Sequence, residues 1–267
     1  MIKTLPVDAA FGGAGAKAPI ESGAACALLD AGFKFGAVAG TSAGSINAGC
    51  IAAGMRAHEI REVAVEVPMA GLFGPQARAI LRGYVCTGEA LHVWLRTYIG
   101  AYRLSDLPVP IRIIASNLST RRGKVFGSRE TPAVMLHDAQ RASSSVPLAY
   151  LPFRIFDDEY VDGGLADNVP GDDLPTNIGV NRVAFYVDSD GPPPKPTTWL
   201  QRRLAEIELA LNSNQTARLW IARKNGVKIV RLPVPAGFGM LDFDLTREQR
   251  TQLFNIGYQA TKSALVL

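Results

Sequence analysis

Histidine is scarce in this 267-residue chain, which carries His58, His92 and His137 and none beyond them. A serine hydrolase of the α/β-hydrolase order takes its base from a histidine late in the chain, after the nucleophile and the acid. That order is excluded here, and the three histidines read as solvated or locally satisfied side chains. Cysteine is equally sparse. Cys26, Cys50 and Cys86 are odd in number and lack C-x-x-C spacing, so neither a disulfide framework nor a metal site is expected. Cys26 and Cys50 lie among small apolar residues and read as buried thiols. Charged residues make up 19% of the chain and the net charge is only +4, too mild for nucleic-acid binding but compatible with an anionic membrane surface. No stretch approaches the roughly 18 apolar residues of a membrane span. Met1 to Ala10 holds one lysine, then an aspartate, and runs into a glycine loop, which is not a signal peptide. The expected location is cytoplasmic or peripheral to a membrane.

The 48% of hydrophobic residues fits a globular chain, and strand and helix signals alternate along it. Thr4 to Phe11 reads as a strand and Gly12 to Gly15 as a loop. Pro19 to Ala31 reads as a helix and Phe33 to Ala39 as a second strand. This order places neighbouring parallel strands with both following loops at one carboxyl edge. Further strands are expected at Val109 to Asn117, Lys124 to Gly127, Phe153 to Phe156, Tyr160 to Val161, Asn181 to Val187 and Val227 to Val234. Helices are expected at Gly88 to Ile99, Pro132 to Ser143, Trp199 to Asn225 and Thr246 to Ala264, with a Pro-rich connector over Asp188 to Thr198. The expectation is one α/β domain spanning residues 1–267.

The most informative stretch is Gly40-Thr41-Ser42-Ala43-Gly44, between the second strand and a helix of small residues. A nucleophile elbow needs such a corner, with glycines where a Cβ would clash and a hydroxyl standing clear at the helix start. The helix N-terminus also favours negative charge developing beside the serine. A tight glycine turn with an incidental serine would look the same. Since no histidine suits, the base is sought among carboxylates. Asp162, in Tyr160-Val161-Asp162-Gly163-Gly164, follows an apolar pair and precedes two glycines that turn the chain. Partial desolvation would make it more basic; an ordinary Asp-Gly turn is the alternative. Asp157, Asp158, Asp167, Asp172 and Asp173 read as solvated loop charges.

A third element is Gly13-Ala14-Gly15-Ala16-Lys17, a glycine-rich loop whose amides can face a developing oxyanion. It fails as a dinucleotide fingerprint, because Ala18 replaces the last glycine and no acidic residue ends a second strand about 20 residues later. It also lacks the Gly-Lys-Ser/Thr of a P-loop. Lys17 reads either as a partner for substrate phosphate or as a solvated helix-start charge. The apolar loop Met69 to Phe73, followed by Arg78 and Arg82, reads either as a lid and interfacial contact or as a core-facing loop before an amphipathic helix.

Taken in order, these residues resemble the patatin-like phospholipase family. Gly13 to Ala18 is similar to its G-G-G-x-K/R-G loop, Gly40 to Gly44 to its G-T-S-A-G elbow, and Asp162 to Gly164 with Asn168-Val169-Pro170 to its D-G-G and N-x-P motif. Arg141 to Pro147 is similar to its A-S-S-A-x-P block. The similarity runs at least from Leu5 to Pro170, and Phe243-Asp244 to Gly257-Tyr258 is similar too. The resemblance implies a three-layer α/β/α fold with a central, mostly parallel sheet. It implies a Ser-Asp dyad in which Ser42 is nucleophile and Asp162 base and later acid. The amides of Gly13, Ala14 and Gly15 would form the oxyanion hole, with Gly40, Gly44, Gly163 and Gly164 supporting the turns. The expected substrate is a phospholipid or other acyl-ester lipid, with no cofactor, no metal and a possible lid at 66–100. Ala14 and Ala18 depart from the glycine pattern. They leave open a second expectation, a weakened lipid- or protein-binding module.

Overall fold

The computed structural model describes residues 5–176, 179–191 and 195–265. Thr4, Pro192, Pro193, Pro194 and the Leu200 side chain, which entered the expectations above, lie outside the described residues. The chain starts with strand β1 (Leu5–Phe11), helix α1 (Pro19–Asp30), strand β2 (Phe33–Thr41) and helix α2 (Ala43–Ala52). Helix α3 (Ala57–Arg61) follows and loosens into a wider π turn over Glu62–Glu66. Next come the one-turn α4 (Ala77–Ile80), then α5 (Glu89–Tyr98), β3 (Ile111–Asn117), β4 (Arg122–Gly127) and α6 (Leu136–Ser143). Strands β5 (Phe153–Ile155) and β6 (Asp158–Val161) lead to β7 (Asn181–Ser189). Helices α7 (Trp199–Asn212) and α8 (Gln215–Lys224), strand β8 (Lys228–Val234) and helix α9 (Arg247–Leu265) complete it.

One sheet carries the architecture, in the order β5-β6-β3-β2-β1-β7-β8, with β4 also on β3. The pairs β1–β2, β1–β7, β2–β3 and β7–β8 are parallel, and β4, β5 and β6 are antiparallel to their neighbours. The glycine loop after β1 and the serine turn after β2 therefore meet at one carboxyl edge, as expected. Strand alternation feeds a core on each face. Ala9, Phe11 and Phe185 enter the larger core, while Ala10, Ala39 and Ala184 join Val169, Ala222 and Val227 in a smaller one. On the larger side α1 and α9 cross closely, because a Cβ at Gly23 would run into the Phe254 carbonyl and one at Gly257 into the Ile20 carbonyl.

Two expectations change. The helical pattern from Trp199 to Asn225 is broken at Ser213 and Asn214 into α7 and α8. At that break the Asn214 amide donates toward the carbonyls of Leu165 and Ala166 at 3.3 and 3.1 Å. Local side-chain bonding of this kind competes with helix continuation. The basic amphipathic helix beyond Pro75 is a single turn, α4. Met69 and Leu72 face the core, while Ile80 and Leu81 are exposed. Among the described residues no helix is long and apolar enough to cross a membrane.

Candidate active site

Ser42 sits at the β2–α2 corner with φ +52° and ψ −126°, a backbone conformation that costs a non-glycine residue about 1–3 kcal/mol. The corner is tight on both sides. A Cβ at Gly40 would stand 2.5 Å from the Gly44 carbonyl oxygen, and one at Gly44 would collide with the carbonyls of Phe11 and Gly12. Gly40 is thus required by the close approach of the first turn of α2, and Gly44 by the close approach of the end of β1. The serine itself is 7% exposed.

Its hydroxyl donates to Asp162 Oδ2 at 2.6 Å, across 120 positions of sequence. Asp162 follows β6, which lies beside the end of β3. Its other carboxylate oxygen accepts the Gly164 amide at 2.8 Å, and its carbonyl accepts the Ser116 hydroxyl at 2.8 Å. A Cβ at Gly163 would strike the Ile114 carbonyl, so this loop too closes only with glycine. Burial pushes the Asp162 carboxyl up to about 6, opposed by the hydrogen bonds from Ser42 and Gly164. A carboxylate raised this far is suited to exchange a proton near neutral pH.

The segment at the end of α6 holds both partners. The Ser42 amide donates to Ser143 Oγ at 2.8 Å, and Ser143 Oγ donates on to the Ile114 carbonyl at 2.5 Å. Two residues later the Ser145 carbonyl accepts the Asp162 amide at 2.9 Å. Arg141, 1% exposed, fixes this segment through the Ser145 hydroxyl and the carbonyls of Thr87, Gly88 and Leu151, with its guanidinium over Tyr150 and Phe153. Removing the Ser143 hydroxyl leaves the strained elbow amide buried and unpaired, which costs about 1–3 kcal/mol. Ser143→Ala is expected to slow modification of Ser42 by a fluorophosphonate about tenfold or more. Denaturation monitored in parallel should show a loss of that size. An unchanged labelling rate would detach Ser143 from the elbow.

The glycine loop differs in detail from expectation. The Gly13 amide is not free: it donates to the Asn168 carbonyl at 2.9 Å. No loop or turn bond among the described residues engages the amides of Ala14, Gly15 or Ala43. Ala43, the residue after the serine, is a donor that the sequence reading missed. Helix N-termini leave such amides open, and an elbow places this one beside the nucleophile. Ala14 has φ −130° and Ala18 φ −43°, so neither position needs glycine, whereas Gly15 has φ +58°. Asn168 ties the loop outward, its side-chain amide donating to Asn212 at 3.0 Å and Gln215 at 2.8 Å.

Ser42 borders two cavities. One is apolar, walled by Ile46, Ile60, Leu72, Trp94 and Phe243 among others. The other is polar and holds Lys17, Asp162, Asn168 and Asn212 together with the glycine loop.

A family model described as patatin-like phospholipase matches residues 9–174. The chain belongs to the patatin-like phospholipase family. An uncharacterized protein of Acanthamoeba polyphaga mimivirus is 24% identical over 86% of this chain and 82% of its own length. An uncharacterized NTE family protein of Mycobacterium tuberculosis is 26% identical over 73% of this chain, which spans about half of that relative (55%). Among solved structures, VipD from Legionella pneumophila superposes with TM-score 0.57 at 15% identity, covering 99% of this chain and 67% of its own. The ExoU–SpcU complex from the type III secretion system of Pseudomonas aeruginosa gives 0.55 at 15% identity, over 98% of this chain and 51% of the other. At such identities the likeness shows the fold.

Within this patatin-like chain the matched span includes the glycine loop, the elbow, the α6 segment and the Asp162 loop. Family and fold support a hydrolase of lipid acyl esters in the broad sense. No histidine lines either cavity at Ser42. His92 and His137 instead meet across α5 and α6, where both face Asp138, at 2.7 and 3.6 Å. Asp167, expected as a solvated loop charge, is 3% exposed beside Arg218, and its burial raises its carboxyl. All three cysteines are free and buried, and burial lifts the Cys26 and Cys50 thiols to about 12.

Proposed function

We propose that this protein cleaves fatty-acyl esters of phospholipids or lysophospholipids through a Ser42–Asp162 dyad and an acyl-enzyme. The observation that carries the reading is the 2.6 Å Ser42–Asp162 hydrogen bond at the junction of an apolar and a polar cavity. An amphiphile laid across that junction has its acyl chain on the apolar side and its ester carbonyl over Ser42. Ser42 Oγ attacks the carbonyl carbon while its proton passes to Asp162 Oδ2. The oxyanion that forms faces the open amides of Ala14, Gly15 and Ala43, and such preorganised donors favour the transition state. Collapse expels the alcohol portion, which takes the proton from Asp162. Water then gives a proton to Asp162 and attacks the acyl carbon. The second collapse releases the fatty acid and returns the proton to Ser42.

Product analysis by mass spectrometry on a mixed lipid panel tests this, with Ser42→Ala as control. Free fatty acid and lysolipid from the parent alone are expected. Equal product from both proteins would exclude the mechanism. The weakened-module reading loses its motive, since Ala14 and Ala18 occupy conformations that accept a Cβ.

We further place an interfacial contact in the 66–100 segment, at α4 rather than at Met69 to Phe73. Leu81 is 88% exposed and Ile80 56%, with exposed Arg78 and Arg82 beside them. Inserting one leucine side chain is worth about 1.5–3 kcal/mol. Leu81→Asp is therefore expected to lower the bound fraction on anionic vesicles about tenfold in sedimentation. Unchanged binding by the folded variant would remove the contact.

A further inference from the structure

The polar cavity beside Ser42 contains two opposite charges that do not pair. Lys17, just after the glycine loop, is 8% exposed. Its backbone amide donates to the Ala14 carbonyl at 3.2 Å, but its ammonium makes no hydrogen bond or ion pair among the described residues. Glu208 of α7 lines the same cavity and likewise enters no ion pair among them. The residue is largely covered while its ammonium opens on the cavity, and a lysine held there with no anion in contact marks a place where one fits. Burial draws the Lys17 ammonium below its ordinary value, while Glu208, then Asp242 and Asp188, oppose that. Asp188 is already held by Arg231 at 2.7 Å, and Asp242 accepts the Gly239 amide at 2.6 Å. Glu208 is the acid left facing the cavity without a committed partner.

We propose that this cavity is the head-group site and takes a zwitterionic phosphodiester bearing a cationic amine, with Lys17 pairing the phosphate and Glu208 the amine. The assignment rests on the acyl-hydrolase reading above and narrows its substrate class. A neutral diacylglycerol would give the Lys17 ammonium no anion to pair with. A phosphodiester ending in glycerol would satisfy Lys17 but leave Glu208 facing an uncharged group. Only a group carrying both charges answers both walls.

The test uses phosphatidylethanolamine, phosphatidylglycerol and diacylglycerol with identical acyl chains, each in neutral-detergent mixed micelles so that surface charge is held constant. The parent protein should hydrolyse phosphatidylethanolamine about tenfold faster than phosphatidylglycerol, the worth of one charge-assisted hydrogen bond. Glu208→Gln should bring that ratio near one, and Glu208→Lys should reverse it. Lys17→Gln should erase the advantage of both phospholipids over diacylglycerol. Uptake of a fluorophosphonate at Ser42 verifies that each variant is folded. A parent that prefers phosphatidylglycerol, or a ratio unmoved by Glu208→Gln and Glu208→Lys, overturns the head-group assignment alone. A parent that takes up the fluorophosphonate but cleaves none of the three lipids overturns the lipid-hydrolase reading, and this assignment with it.

Discussion

Ser42→Ala is expected to abolish acyl-ester hydrolysis, by on the order of 10⁴-fold or more, while leaving the protein folded. Among the described residues the Oγ atom is the only hydroxyl that meets the Asp162 carboxylate, so no neighbour there can take over the attack. Ser22 and Ser144 are the other buried serines on the apolar cavity, but Ser22 donates to the Asn47 side-chain oxygen at 2.5 Å, and the Ser144 hydroxyl has no partner among the described residues to accept a proton. Stability should move little, because alanine keeps the same strained backbone. Ser42→Gly separates the two effects. It loses activity equally, yet glycine accepts φ +52° at no steric cost, so it should melt above Ser42→Ala by the equivalent of about 1 kcal/mol. Hydrolysis of a chromogenic acyl ester, fluorophosphonate labelling and thermal denaturation of the three proteins measure both. Residual labelling of Ser42→Ala at the parent rate would show that another residue is the nucleophile.

What could be read from the chain and what could not divide along a physical line. The elbow was legible because glycines flanking a serine between a strand and a helix mark a sharp corner, although Gly44 itself answers the carbonyls of Phe11 and Gly12. Asp162 was legible for the same reason, since Gly163 and Gly164 mark a sharp turn whatever lies around it. The order of strands and helices placed the elbow and the glycine loop at one sheet edge, and Asp162 at a strand end. The role of Ser143 was hidden, because a serine at the end of a helix acquires meaning only from the amide packed against it, here 101 positions away. The glycine loop showed a cluster of donors but not their partners. That the Asn168 carbonyl engages Gly13 and leaves Ala14 and Gly15 open is a property of the packed loop. Leu72 and Leu81 are both leucines in an irregular stretch, and no periodicity separates the one that lines the cavity from the one in water.

Asp162→Asn is the sharper prediction, because it couples activity to stability with opposite signs. An asparagine keeps the shape of the carboxylate and can still accept the Gly164 amide, but it cannot take the Ser42 proton. Hydrolysis should fall by on the order of 10³-fold or more. In the parent, kcat/KM should rise with pH through about 6, as Asp162 ionises, and the variant should lack this limb. Stability runs the other way. The folded carboxyl titrates near 6 against an ordinary 3.8, so the native state binds the extra proton between those values. Stability therefore decreases as pH rises through that window, by about 3 kcal/mol once the pH exceeds 6. The neutral asparagine does not carry this cost. Asp162→Asn should thus be more stable than the parent at pH 8, by up to about that amount, and no more stable than it at pH 4. Denaturation of both proteins at the two pH values makes the comparison, with all other carboxyls common to both. The same stability difference at pH 4 and pH 8 would mean that Asp162 is not the destabilised acid described, and full activity in the variant would remove it as the base. If both results come out as expected, the charge that destabilises this fold at neutral pH is the one that activates Ser42.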